Sequence, residues 1–326
     1  MRRLLPIAFL AVTSGPSMLA CAAAGGDDGG SANLPGRGIA GWEPASDTPV
    51  LRSESTPAEV GGPTLLISDD RAVVWFHQRN ALGLEGFEIR RAEAAHPGPD
   101  EAFAFGPSTV VMAEGRDPSV IAHPDTALAA GGRLLMVYSA TDGLRLAEGD
   151  GASFTELEAT LPAGTSPSLL ASEGDGRLVL YMIVDGSLAR SEETTPLTFT
   201  EPVPVLGPGV DCVDLAGEPE PCWDGGALID AEVRLAETPT GRRIWRVFYA
   251  ARAGASGSTS IGFAASDDGL TFSRYAFNPV LSGANLTAPA SARLGDAYHL
   301  LVEQRASGGA DIVHQVSTPD APADRF

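Results

Sequence analysis

The feature that most restricts this chain is a repeat. Short strands built around a proline or its equivalent recur as Gly62-Pro63-Thr64-Leu65-Leu66, Asp117-Pro118-Ser119-Val120-Ile121, Ser166-Pro167-Ser168-Leu169-Leu170, Asp230-Ala231-Glu232-Val233-Arg234 and Ala288-Pro289-Ala290-Ser291-Ala292. A more apolar strand follows each anchor: Ala72–Phe76, Arg133–Tyr138, Arg177–Met182, Ile244–Tyr249 and Ala297–Val302. A third comes after it: Phe87–Ala92, Leu144–Ala147, Ser187–Ser191, Ile261–Ser266 and Ile312–Ser317. A turn and an aromatic announce a fourth, since Asp150-Gly151-Ala152-Ser153-Phe154 matches Asp268-Gly269-Leu270-Thr271-Phe272 and Leu197-Thr198-Phe199 is a shorter version. Asp-Gly is a turn signal because Gly accepts positive φ. Units of four short strands over about 50–60 residues predict an all-β fold, a five-bladed β-propeller of four-stranded antiparallel blades.

The last unit has no fourth strand after Ser317, and the other end of the domain offers one. Trp42 precedes Pro49-Val50-Leu51 by the spacing with which Phe272 precedes Pro279-Val280-Leu281. Residues 42–51 are therefore expected to complete the last blade and close the ring, which removes an exposed sheet edge. The alternative is that they are linker.

Ahead of the repeat the chain reads as an address. Arg2 and Arg3 precede an apolar run, Leu4 to Val12, too short to span a bilayer and suited to a secretory signal. Met18-Leu19-Ala20-Cys21 resembles the bacterial lipobox, in which a small residue precedes a cysteine that becomes lipidated; Met18 departs from the usual Leu. Cleavage without lipid at Ala20-Cys21-Ala22 is the other reading. The resulting organisation is a lipoprotein signal peptide over 1–20, a Gly- and Ala-rich tether over 21–40 and the propeller over 41–326. The expected location is the cell envelope, outer membrane included, with Cys21 as the membrane anchor.

Charge excludes some partners. With Lys plus Arg at 22 and Asp plus Glu at 42, the net charge is −20, which argues against nucleic acid and against a basic patch on anionic lipid. A monomer is expected, with no cofactor. Cys212 and Cys222 are left for a disulfide in an oxidising compartment. As zinc ligands they lack a nearby His, and no metal site is expected.

First strands of a propeller line its axis, so polar residues at one end of them converge. Asp117 and Asp230 hold equivalent places, Glu232 faces the same side as Asp230, and Arg116 adjoins Asp117. Acids so grouped can divide acid and base roles through shifted pKa values; alternatively Asp117 caps a turn before Pro118. Among the histidines, His77 and His299 lie in matching second strands and read as structural. Asp267-Asp268-Gly269 reads as a turn rather than a calcium loop. Trp75 and Trp245 read as core, and Trp223 as the surface residue best placed to stack on a sugar.

Roughly residues 60–290 resemble the five-bladed propellers of the invertase, arabinanase and levansucrase type of glycoside hydrolase, and the related mannoside phosphorylases. The resemblance rests on Trp223-Asp224-Gly225-Gly226, Ile229-Asp230-Ala231-Glu232-Val233, Phe248-Tyr249, Ile261 through Gly269 and Asn278-Pro279-Val280-Leu281, together with Arg116-Asp117-Pro118. It implies carbohydrate as the ligand, Asp117 as a stabiliser or base and Asp230 or Glu232 as an acid. It also implies carboxylates on the first and third blades, where this chain has Gly62-Pro63 and Ser166-Pro167. A glycoside hydrolase and a non-catalytic carbohydrate- or protein-binding lipoprotein are thus both expectations, the acidic loop 211–225 being the contact surface in the latter.

Overall fold

The computed structural model describes residues 42–317 apart from 53–57, 69–70, 80–85, 96–97, 99–100, 125–131, 173–175, 213–218, 238–241, 255–256, 277, 284, 295–296 and 308. The expected signal, tether and Cys21 lie outside the described residues, as does part of the acidic loop. Every element among the described residues is a β-strand; there is no helix.

A short strand β1 (Trp42–Pro44) comes first. The first set is β2 (Ala58–Ser68), β3 (Arg71–Arg79), β4 (Phe87–Ala95) and β5 (Thr109–Met112). The second is β6 (Arg116–Ala122), β7 (Leu134–Ala140), β8 (Gly143–Gly149) and β9 (Phe154–Leu157). The third is β10 (Thr165–Ala171), β11 (Leu178–Val184), β12 (Ser187–Thr195) and β13 (Thr198–Phe199), with β14 (Val203–Leu206) also paired to β12. Next come β15 (Ala227–Glu237), β16 (Arg243–Arg252), β17 (Thr259–Ser266) and β18 (Ser273–Arg274). The last set is β19 (Leu286–Leu294), β20 (Ala297–Ala306) and β21 (Gly309–Ser317).

Within each set consecutive strands pair antiparallel, as expected for chain segments joined by short turns. β1 pairs antiparallel with β21 through Trp42 opposite Ser317, and an isolated bridge joins Leu51 to Ile312. β2 touches β21 in parallel at Ala58 and Glu59, which links the first and last sets into one sheet.

Both faces of the inner strands are apolar, and apolar layers lie between neighbouring sheets. Val74 and Phe76 meet Ala290 and Leu301 on one side, while Trp75 and Ile89 meet Val120 and Met136 on the other. Leu135 and Val137 meet Leu169 and Leu180, Tyr181 meets Val233 and Tyr249, and Phe248 and Phe263 meet Leu300 and Trp42. This accounts for second strands that read as continuous apolar runs instead of alternating ones. Trp75 is buried in these layers; Trp245 is partly buried and packs at the edge of one.

The Asp-Gly turns fasten sheets together. Asp150 Oδ1 accepts from the N–H groups of Ala152 and Ser153, and Asp268 Oδ1 accepts from those of Leu270 and Thr271. The Gly151 carbonyl accepts from Trp75 Nε1 at 3.1 Å, and the Gly269 carbonyl accepts from the Tyr181 hydroxyl at 2.8 Å. In each case the donor belongs to the preceding set. Asp267-Asp268-Gly269 is therefore accounted for as a turn.

Candidate functional site

Each first strand is bulged at its anchor. The register slips between Gly61 and Thr64, Arg116 and Ser119, Thr165 and Ser168, Leu228 and Asp230, and Thr287 and Ala290. Bulges re-aim side chains and break pairing locally. Where proline follows, the residue before it takes positive φ: 53° at Gly62, 47° at Asp117, 49° at Ser166 and 45° at Ala288. Asp230, followed by Ala231, is absent from that group. The repeated bulge turns Gly62, Asp117, Ser166, Asp230 and Ala288 toward one shared opening. The cavity between them is about 30 Å³, room for a water or two.

Two positions further along, the sheets are stapled to each other. Thr64 Oγ1 accepts from the Val120 N–H (3.5 Å), Ser119 Oγ from Leu169 (2.9 Å) and Ser168 Oγ from Val233 (2.9 Å). Glu232 occupies the same place in its sheet, and its Oε2 accepts from both N–H and hydroxyl of Ser291 at 2.6 Å. Its Oε1 is held by Arg234 Nε at 2.9 Å. Glu232 is thus a longer version of a structural hydroxyl, with both oxygens engaged.

The two aspartates meet different surroundings. Nδ1 of His77 accepts the Asp117 backbone N–H at 3.2 Å and lies equally 3.2 Å from the Asp117 carboxylate. Burial pushes Asp117 up, but the adjacent His77 ring, with the charges of Arg116 and Arg305, outweighs it and holds the carboxyl below its usual range. Asp230 takes the Ser166 hydroxyl on Oδ1 and the Ala288 N–H on Oδ2 at 3.2 Å. Burial, and then the charge of Asp117, push it up to about 6 against the Ser166 hydrogen bond.

His77 and Glu303 were missed as members of this site by sequence reasoning. Both are buried on second strands. Glu303 Oε2 accepts the Gly62 N–H at 3.2 Å, and its other oxygen pairs with Arg305 Nε at 2.5 Å. Burial raises its pKa. Gly61 admits both groups: a Cβ there would stand 1.9 Å from Glu303 Oε2 and 2.9 Å from His77 Nε2. The shared placement of His77 and His299 in matching strands was the available signal. His299 itself is spent elsewhere, 2.9 Å from His314, in a stack that includes Phe103.

Of the other candidates, Arg116 lies over the Phe87 ring at 4.3 Å, beside Asp117 but outside the lining of the opening. Trp223 also does not line it; the ring packs 5.6 Å from Tyr249, over Gly262. Its neighbour Asp224 is buried and takes Arg274 Nε at 2.7 Å and the Tyr249 hydroxyl at 3.1 Å. Cys212 and Cys222 form a disulfide, with Cα atoms 5.2 Å apart. Their sulfurs and Asp224 are the one cluster of metal-ligand atoms among the described residues. Sulfurs bonded to each other are not thiolate ligands, so the cluster is a poor metal site.

No protein-family model and no curated protein sequence matches the chain. Solved structures share its fold at low identity. The catalytic domain of Coprinopsis cinerea GH62 α-L-arabinofuranosidase is similar over 88% of this chain and 99% of its own, with TM-score 0.62 and 13% identity. A glycosyl hydrolase from Bacteroides ovatus is similar over 89% and 97%, with TM-score 0.60 and 13% identity. A structure from the GH130 family of mannoside phosphorylases, which contains glycoside hydrolases that target β-1,2 mannosidic linkages in Candida mannan, matches over 89% and 97% at TM-score 0.56 and 14% identity. The chain shares the β-propeller fold of these glycoside hydrolase structures.

Proposed function

We propose that this chain is an exported, lipid-anchored propeller that acts on a glycan through Asp117 and Asp230. The observation that carries the reading is the divergence of two carboxylates at equivalent bulges around one opening: Asp117 is held ionised and Asp230 is raised to about 6. Such a pair divides base and acid roles in glycoside hydrolysis. Asp117 is the base or charge stabiliser, and Asp230 the acid. Glu232, the other candidate acid, supports the strand through Ser291 and Arg234. Arg116 supports the charge of Asp117, and contact with Trp223 would need a ligand extending to the disulfide loop.

The ring has five blades in this reading, with β1 completing the last against β21. The apolar layer shared by the first and last sets favours closure. The disulfide fits an oxidising compartment, and Cys21 is the lipid attachment site.

A second reading, binding without turnover, is favoured by a specific observation. Gly62 and Ser166 stand where the resemblance implies carboxylates, and the opening admits a water or two. The deciding experiment is a screen of the mature chain with aryl α-L-arabinofuranosides, aryl β-mannosides and polysaccharides, reading product release and thermal shift together. Turnover is expected, lost in both Asp117→Asn and Asp230→Asn, and declining as pH rises through about 6 as Asp230 loses its proton. A thermal shift without turnover would establish the second reading; silence in both would overturn the glycan assignment.

A further inference from the structure

Three of the strands that line the opening at Asp117 and Asp230, β2, β15 and β19, have another opening further along. Residues 62–64, 230–232 and 288–289 line the acidic opening. Residues 65–67, 234–237 and 291–293 of those strands, with Arg246 and Tyr298, line a cavity of about 360 Å³. The walls supplied by β2 are apolar, and the polar groups come mainly from arginine.

Arg234 on β15 stands directly opposite Arg246 on β16. Like charges at opposed positions repel. Glu232 answers Arg234, which also donates to the Leu65 carbonyl at 3.2 Å. Arg246 shares the charge of that same Glu232 and has the Tyr298 hydroxyl beside it. It is 4% exposed, and its Nε and Nη1 find no hydrogen-bond partner among the described residues. Its guanidinium lies 4.3 Å from the centre of the Tyr298 ring, and Arg293 approaches the same ring at 5.6 Å. The acid lining the cavity is Glu237, exposed at the end of β15. Arginine keeps its proton in proteins, so it cannot relieve the repulsion by neutralising. The guanidinium groups of Arg234, Arg246 and Arg293 share this cavity with a single exposed acid, and such a cluster of cations is a place where an anion binds favourably.

We propose that Arg246, with Arg234 and Arg293, binds the oxyanion group of a ligand, a carboxylate, sulfate or phosphate, in this cavity. The chain carries a net charge of −20. Long-range attraction therefore does not bring the anion in, and recognition comes from contact. The proposal does not rest on the glycan reading, because none of the three arginines lines the opening at Asp117.

The test is a calorimetric titration of the mature chain with sodium sulfate, sodium phosphate and sodium glucuronate, against sodium chloride at equal ionic strength. Saturable binding beyond that of chloride is expected for at least one probe. Arg293 is exposed, so Arg293→Gln keeps the fold and weakens binding several-fold. Arg246→Gln weakens it by about ten- to a hundredfold. Since Arg246→Gln could unfold the chain, the Nε–H resonance of Arg246 in the unaltered protein provides a second readout, and it should shift and saturate with the same probe. Glucuronate binding alone assigns a sugar carboxylate; sulfate or phosphate binding alone assigns a tetrahedral anion. No saturable binding of any probe, or an Nε–H resonance that stays in place while an anion binds, would overturn the proposal.

Discussion

At the bulged end of the first strands, carboxylates gather at one opening. Further along β15 and β19, arginines gather at another, and Glu232 stands between the two. Both clusters bring like charges together in partly dehydrated surroundings, yet they respond differently. A carboxyl can take up a proton, so burial, and then repulsion from Asp117, appear as a raised pKa at Asp230. A guanidinium cannot release one, so Arg234 and Arg246 need acids, ring faces or bound anions. Titration discharges one end; counter-charge must discharge the other.

The largest expected effect is at the junction. Glu232→Ala removes the acid bonded to Arg234 and leaves the Ser291 N–H without its acceptor. Breaking a buried ion pair from one side costs about 3–5 kcal/mol, and the partial exposure of Arg234 puts this pair at the lower end of that range. Urea unfolding at neutral pH should show a loss of that size. A loss under about 1 kcal/mol would mean that the arginines are discharged by something other than Glu232.

At the acidic end the two aspartates should move stability in opposite directions with pH. Unfolded, an aspartate titrates near 3.9. Folded Asp230 titrates at about 6. Between those values the native state binds more protons, so stability falls as pH rises from about 4 to about 6, and the contribution is complete only below 4. Asp117 is depressed instead; its contribution is complete above about 4 and is lost as pH falls through its folded value. Asp230→Asn should therefore flatten the decline and gain about 3 kcal/mol at pH 7 relative to the unaltered chain. The amide can still accept from Ala288, and Ser166 can still donate to the Ile229 carbonyl 3.2 Å away. Asp117→Asn should lose stability at pH 7. Unfolding curves from about pH 2 to 8 check both, and equal signs would break the division between the pair.

What was legible in the sequence followed from the repeat. The anchors placed Asp117, Asp230 and the Gly62 and Ser166 exceptions at equivalent positions before any coordinates, because a bulge recurs wherever the anchor does. The strands around the Asp-Gly turns were legible for the same reason. His77 and Glu303 were not: they lie on second strands whose apolar character carries the pattern, and the Gly62–Glu303 contact joins residues 241 apart. Glu232 was legible as an acid facing the axis, but its role depends on Ser291, a partner in another sheet. The Arg234–Arg246 confrontation depends on hairpin register, which residue spacing alone did not fix.

The smallest effects should come from the hydroxyl staples that lie between the two ends, and they bear on whether Glu232 is one of them. Ser168 both accepts the Val233 N–H at 2.9 Å and donates to the Val233 carbonyl at 3.2 Å, whereas Ser119 accepts from Leu169 at 2.9 Å. Removing a hydroxyl strands a buried backbone N–H, at about 1–3 kcal/mol. Ser168→Ala should fall toward the top of that range and Ser119→Ala toward the bottom, each with an unchanged denaturant slope. Neither substitution disturbs a charge, so both losses should be independent of pH between 5 and 8. The Glu232→Ala loss should shrink as salt screens the arginines while the serine losses stay constant. If the Glu232 loss proved as insensitive to salt as those of the serines, its work would lie in holding Ser291 alone, and the arginine end would be discharged without it.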